Sequence, residues 1–222
     1  MNGEKPAVQG FDVSAASVAV VGCGGLGTNV CAHLAGAGVG RLLLWDHDRV
    51  ETRNLNRQFF YTPADAGKPK AATLAKRLRA YAPEIEIAHY DRKAESSADL
   101  APAAGCGAVV CAADNIPARR VVWEFCEARG IPCVFGAVAG DCGTAFAAVP
   151  GLTATPDDGG VFDEPNRSYP SPGPTVGLVG ALQAKLVIEI LRGKLLCAGV
   201  LYALSGCEVS ALPIKRTNSS EE

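Results

Sequence analysis

A chain of 222 residues, 48% apolar and 20% charged, has the composition of a globular protein with room for a full core. Its formal net charge of −2 gives no electrostatic footprint for nucleic acid or an anionic membrane surface. No apolar run reaches the roughly 18 residues of a membrane span. The start, MNGEKPAVQGFDVSAAS, lacks the apolar stretch of a secretory signal, so a cytoplasmic protein is expected.

In chain order, a 1–16 extension precedes Ser17–Val21, which reads as a buried strand. A glycine-rich turn, Gly22–Gly27, opens a helix that runs to about Ala37, where Gly38 and Gly40 end it. Arg41–Trp45 is a second apolar strand. Lys68–Tyr81 carries apolar residues at helical spacing, and Ile85–Tyr90 alternates as a strand. Ala108–Ala113 is another buried run, and Val121–Ala128 is helical with Gly130 behind it. Cys133–Ala139 and Thr144–Val149 are strand-like. The stretch 151–174 is a long crossover-type loop rich in Gly, Pro and Asp, a length that marks function or mobility. Thr175–Leu191 is a helix apolar on most faces, two strands follow at Gly199–Leu204 and Val209–Ile214, and 217–222 is a polar tail. Strands alternating with helices predict one α/β domain over 1–222. It is Rossmann-like, with a mostly parallel sheet, helices on both faces and some antiparallel strands late in the chain.

Gly22, Gly24 and Gly27 form G-x-G-x-x-G between a strand and a helix. Such glycines allow a tight turn and let backbone amides approach a phosphate at the helix N-terminus. Asp46 follows at a strand end, at the spacing of a carboxylate that reaches ribose hydroxyls. An adenine nucleotide is indicated. NAD is the default, but Arg53, Arg57 and Lys70 supply more cations than a pyrophosphate held by a helix end needs. Asp114 ends another strand, where a Mg²⁺ ligand would be useful, and no separate second domain remains for a hydride donor's substrate. The cofactor expected is therefore ATP with Mg²⁺, without a P-loop sequence.

The combination GCGGLG, DHDRVETRNLNRQ, GKPK and CAADN resembles the ThiF/MoeB/HesA adenylyltransferases, bacterial relatives of ubiquitin-activating enzymes, from about Ser17 to Ile214. The resemblance implies ATP-dependent adenylation of the C-terminal glycine of a small ubiquitin-like sulfur carrier, ThiS-like or MoaD-like, by a homodimer. It implies that Gly22, Gly24, Gly25 and Gly27 line the nucleotide and Asp46 holds the ribose. Asn54, Arg57 and Gln58 face the phosphates, Lys70 reaches the α- and leaving phosphates, and Asp114, with Asn115 nearby, positions Mg²⁺. Arg57, Lys70 and Asp114 are then the catalytic residues. Adenylation of a peptide C-terminus or a tRNA-linked carboxylate, and a non-catalytic nucleotide-binding or carrier-docking protein, are the alternatives.

The chain departs from the family's pattern in places. Its nine cysteines include no C-x-x-C pair, so no zinc is expected. The 151–174 loop has no cysteine for a covalent carrier intermediate, and the N-terminal extension has no arginine to offer a neighbouring subunit. Cys142 reads as a buried structural thiol, as do most of the cysteines. His47 is expected to point away from Asp46 by strand alternation. Asp48 serves either the nucleotide or the turn before Asn54. Lys68 is expected to be merely exposed, and Asp157, Asp158, Asp163 and Glu164 a solvated loop face. Trp45 and Trp123 are assigned to helix–sheet contacts.

Overall fold

The computed structural model describes residues 12–163 and 170–217. The first eleven residues of the extension, Glu164 in the long loop and the last five residues of the tail lie outside the described residues. Eight strands form one sheet: β1 (Ser17–Val21), β2 (Arg41–Trp45), β3 (Glu86–Tyr90), β4 (Ala108–Cys111), β5 (Cys133–Ala139), β6 (Cys142–Ala148), β7 (Val200–Ser205) and β8 (Glu208–Pro213). Their order is β3-β2-β1-β4-β5-β6-β7-β8. Strands β1 to β5 pair in parallel, and β6, β7 and β8 continue the sheet antiparallel. Among the described residues four α-helices pack on the sheet: α1 (Gly25–Gly36), α2 (Lys70–Tyr81), α3 (Ile116–Glu127) and α4 (Gly173–Leu191).

The apolar runs explain this layering. Alternate side chains of a strand face opposite sides of a sheet, so a continuous apolar run requires cover on both. Leu42 and Leu44 pack with Leu34 of α1, Leu74 and Leu78 of α2 and Val187 of α4. Leu43 and Trp45, one residue out of phase, pack with Trp123, Phe125 and Phe135 on the α3 side. Each such fully buried Leu contributes about 1.5–3 kcal/mol. Trp45 stacks on Tyr90 at a centroid distance of 4.2 Å, and its Nε1 donates to the carbonyl of Asp99 at 3.2 Å.

Several elements differ from the sequence reading. α3 starts five residues earlier than expected, because the Asn115 side chain accepts from the Ala118 amide at 3.0 Å and Pro117 suits the first turn. α4 starts at Gly173 rather than Thr175, with Pro174 in its first turn. At 19 residues with a mean hydropathy of 1.5, α4 does reach the length and composition of a span, contrary to expectation. Here it packs against α1, β5 and β6.

Lys68 is not simply exposed. Its Nζ donates to Asp65 Oδ1 at 2.9 Å, and Arg77 Nη2 donates to Asp65 Oδ2 at 2.7 Å. The Thr62 amide and hydroxyl complete the set at 3.0 and 2.8 Å. The Lys68 hydrogen bond first, then those from Thr62 and Arg77, hold the Asp65 carboxyl well below the usual carboxylate range. A depressed folded value means that the stabilisation is present above the unfolded value of about 3.9 and is lost as pH falls through the folded value. Asp65→Asn is expected to melt below wild type at pH 7, with the gap closing as pH falls below about 4. Thermal melts from pH 7 to 2 check this, and a gap independent of pH would exclude the carboxylate charge as its source.

Candidate active site

The strand order changes direction between β1 and β4: the chain builds outward through β2 and β3, then returns to the other side of β1. The crevice beyond the C-terminal ends of such a pair is the usual ligand site of an open parallel sheet. In this protein it is a cleft of about 1320 Å³. A second, more open hollow of about 670 Å³, lined by Glu189, Lys194, Leu195 and Tyr202, holds none of the expected site residues.

Backbone geometry makes the floor. Gly22 has φ +100°, and a Cβ there would lie 2.7 Å from the carbonyl oxygen of Ala112. A Cβ on Gly27 would lie 1.8 Å from the carbonyl oxygen of Gly22, and one on Gly25 would lie 2.8 Å from Val176 Cγ1 of α4. These three glycines are required by the protein's own packing. Gly24 differs, since a Cβ there would meet only Gln58 Nε2 at 3.7 Å. Gly24 is the N-cap of α1 and no side chain caps that end, so the first amides of a twelve-residue helix are open to an anion.

Asp46 is fixed rather than free. Its Oδ2 accepts from the Cys23 amide at 2.6 Å and its Oδ1 from the Asp48 amide at 2.7 Å. Burial first, then the Asp46 charge, pushes the Cys23 thiol far up, so Cys23 stays neutral. β2 ends at Trp45, so strand alternation does not govern His47. Contrary to expectation, His47 lines the same cleft as Asp46, with its Nε2 3.4 Å from Asp48 Oδ1.

The cationic wall comes from two segments. After a 3-10 turn at Thr52–Asn54, Arg57 donates to Asn56 Oδ1 at 3.1 Å and to Asn54 Oδ1 at 3.4 Å. Gln58 is 3% exposed, its Oε1 has no hydrogen-bond partner among the described residues, and it borders the cleft beside Gly24. Lys70 is the first residue of α2 and is 5% exposed. Its Nζ donates to Asp48 Oδ2 at 2.9 Å, and its amide donates to the Asp48 carbonyl at 2.9 Å. An antiparallel bridge between Arg49 and Pro69 brings the two together. Asp48 pairs with Lys70, whose hydrogen bond is the main reason its carboxyl lies below the ordinary range. Arg53 is exposed and paired with Glu51.

The opposite wall follows β4. Asp114 is exposed to the cleft and makes no ion pair among the described residues. Asn115 also borders the cleft, but its Oδ1 is committed to capping α3, and its Nδ2 sits 3.5 Å from Asp114 Oδ1. Of the expected site residues, only Gly27 does not line the cleft.

Three features escaped the sequence reading. Tyr61, 4% exposed, donates its hydroxyl to the carbonyl of Cys23 at 2.8 Å and lies 3.2 Å from that of Lys70. Arg119 donates to the carbonyls of Ala113, Val161 and Gly136 at 3.1, 2.8 and 3.4 Å, clamping the long loop to the sheet. Asp158 is not merely a solvated loop residue: it accepts from Thr155 and Thr217, and these bonds, that from Thr217 first, bring its carboxyl down to about 2. The loop's composition was the available signal that something must hold it. Cys142, expected to be buried, is exposed at the start of β6 and lines the cleft. Its position beside the β5–β6 turn puts it at the sheet's open end rather than in the core.

The ThiF family model matches residues 10–220. The sulfur carrier protein adenylyltransferase of Thermus thermophilus is 34% identical over 199 residues, covering 80% of this chain and 70% of that protein. The sulfur carrier protein ThiS adenylyltransferase of Escherichia coli is 32% identical over 199 residues, covering 85% of this chain and 77% of that protein. Among solved structures, E. coli MccB with ATP superposes with a TM-score of 0.81 at 23% identity, a likeness of fold, with the match covering 93% of this chain and 66% of that one. With the family model spanning nearly the whole chain and relatives above 30% identity matched over most of their length, the chain belongs to the ThiF family.

Proposed function

We propose that this protein uses ATP and Mg²⁺ to adenylate the C-terminal glycine carboxylate of a small ubiquitin-like sulfur carrier, ThiS-like or MoaD-like. The observation that carries the reading is one cleft that joins the uncapped end of α1, the fixed Asp46, the wall of Arg57, Gln58 and Lys70, and the exposed carboxylate of Asp114. The named activities of the Thermus and E. coli relatives supply the carrier.

The chemistry matches these residue types. The carrier carboxylate attacks the α-phosphorus, the α–β phosphoanhydride bond breaks, and pyrophosphate leaves with its electron pair, giving an acyl-adenylate. Both reactants are anionic, so cations must be in place before reaction. Arg57 offers two parallel donors to phosphate oxygens, and Lys70 a compact charge to the α-phosphate and leaving group. Asp46 accepts from ribose hydroxyls through lone pairs its two amide partners leave available. No general base is required, because the attacking carboxylate is already ionised.

Asp114 fits Mg²⁺: an exposed oxygen ligand facing the cleft, without a cation partner among the described residues, suits an ion held by one carboxylate plus phosphates. When bound, Mg²⁺ neutralises charge on the leaving phosphates. Asn115 acts indirectly, by fixing the start of α3 beside Asp114. The six buried cysteines serve as core thiols, and no zinc enters this reading. A homodimer is supported by the family resemblance, and Leu178 and Leu196 are exposed apolar side chains that an interface would cover.

Incubation with ATP, Mg²⁺ and either a ThiS-like or a MoaD-like carrier is expected to add the mass of AMP to one of them, with carrier-dependent ATP–pyrophosphate exchange. Absence of both signals with every carrier bearing a C-terminal Gly-Gly, while ATP still binds, would leave a nucleotide-binding protein without this activity.

A further inference from the structure

The expected phosphate-facing groups sit on three chain segments: the glycine turn, the Asn54–Gln58 turn and the start of α2. One buried residue, Tyr61, bonds to all three, through its backbone to one and its hydroxyl to the other two. Tyr61 closes the second segment through its own backbone, its amide donating to the Gln58 carbonyl at 3.1 Å. Its hydroxyl donates to the Cys23 carbonyl at 2.8 Å and lies 3.2 Å from the Lys70 carbonyl. We infer that Tyr61 is a positioning residue that aims the Gly24 amide and the Lys70 helix end at the triphosphate, an inference that rests on the ATP reading above.

Peptide planarity sets the direction of the Gly24 amide. In a trans peptide the C=O and the following N–H point in opposite directions. The Cys23 carbonyl is drawn into the core by Tyr61, so the Gly24 N–H of the same peptide points the other way. Gly24 borders the cleft and has open space beside it. The preceding peptide is fixed too, because the Cys23 amide is held by Asp46 at 2.6 Å. The turn is thus pinned from both sides, by a carboxylate on its N–H and a phenol on its C=O. Burial pushes the Tyr61 hydroxyl far above its ordinary range, so it remains a donor at any working pH. The Lys70 carbonyl, in the first turn of α2, takes only the weaker share of that single hydroxyl proton at 3.2 Å, a second and looser tie to the helix that carries the Lys70 ammonium.

Tyr61→Phe keeps the ring in the core and removes only the hydroxyl. Both pinned groups would face phosphates, so the effect should appear with a nucleotide and not with its nucleoside. In isothermal titration, Tyr61→Phe is expected to bind ATP·Mg²⁺ about tenfold more weakly than wild type, the scale of one hydrogen bond, with adenosine affinity unchanged. Unchanged ATP affinity would overturn the inference, and so would an equal loss for ATP and adenosine, the signature of a merely structural role. If the variant does not fold, the ¹H–¹⁵N spectrum of wild type decides. The Gly24 amide should shift with ATP·Mg²⁺ and not with adenosine, and a Gly24 signal indifferent to ATP refutes the aim assigned to Tyr61. A wild type that binds no ATP at all removes the nucleotide reading itself, and this inference with it.

Discussion

Lys70→Ala is expected to lower ATP–pyrophosphate exchange by about 10²- to 10³-fold, the usual cost of removing one preorganised group that meets developing charge. The side chain is nearly buried at the head of α2, and its Nζ is 2.9 Å from a single carboxylate, Asp48. The pair holds the ammonium at the cleft wall. Asp48 is about half exposed, at 53% of its side chain, so it can return to water when its partner is removed. Folding should therefore be little affected, and the thermal midpoint should stay near that of wild type. The loss should fall mainly on the exchange rate, because charge on the α-phosphate and leaving group grows as the bond breaks. Full exchange by Lys70→Ala would end the mechanism proposed for this residue.

The second large effect is structural. Gly27→Ala places a Cβ 1.8 Å from the carbonyl oxygen of Gly22, and the clashing atom is backbone in a turn that cannot give way. Overpacking of this kind costs up to about 3 kcal/mol or more, or a thermal midpoint lower by about 6–12 °C in a chain of this size. Gly24→Ala is the contrast. Its Cβ would meet only Gln58 Nε2, at an ordinary 3.7 Å, so the fold should stand while ATP binding weakens. Melting curves and ATP titrations on the two variants separate a glycine needed by the turn from one proposed to meet the ligand. Equal melting points would show that the turn relaxes around residue 27.

Much of the fold was legible because its signals are local. The strand at Arg41–Trp45 was found with its bounds unchanged, since Leu42 to Trp45, buried on both faces, leave a continuous apolar run behind Arg41. The α3 boundary was missed because Arg119 and Arg120 interrupt the apolar period in its first turns. The Asn115 cap that starts the helix was not recognised as one. His47 was misjudged by extending strand alternation past Trp45, where the strand has already ended.

The sequence by itself determined the family, the glycine turn and the chemical character of the site. Glycine conformations, apolar periodicity and motif spacing are properties of neighbouring residues, and they survive without a third dimension. Only the tertiary structure decided how the site closes. The Arg49–Pro69 bridge brings Asp48 to Lys70 across 22 positions, and the Tyr61 hydroxyl reaches Cys23 across 38. It decided, too, that Cys142 faces the cleft while six other cysteines are buried. Such contacts depend on where helices and strands come to rest against each other. No pattern within a few residues of Tyr61 or Cys142 encodes that, because their partners lie on elements folded in from elsewhere in the chain.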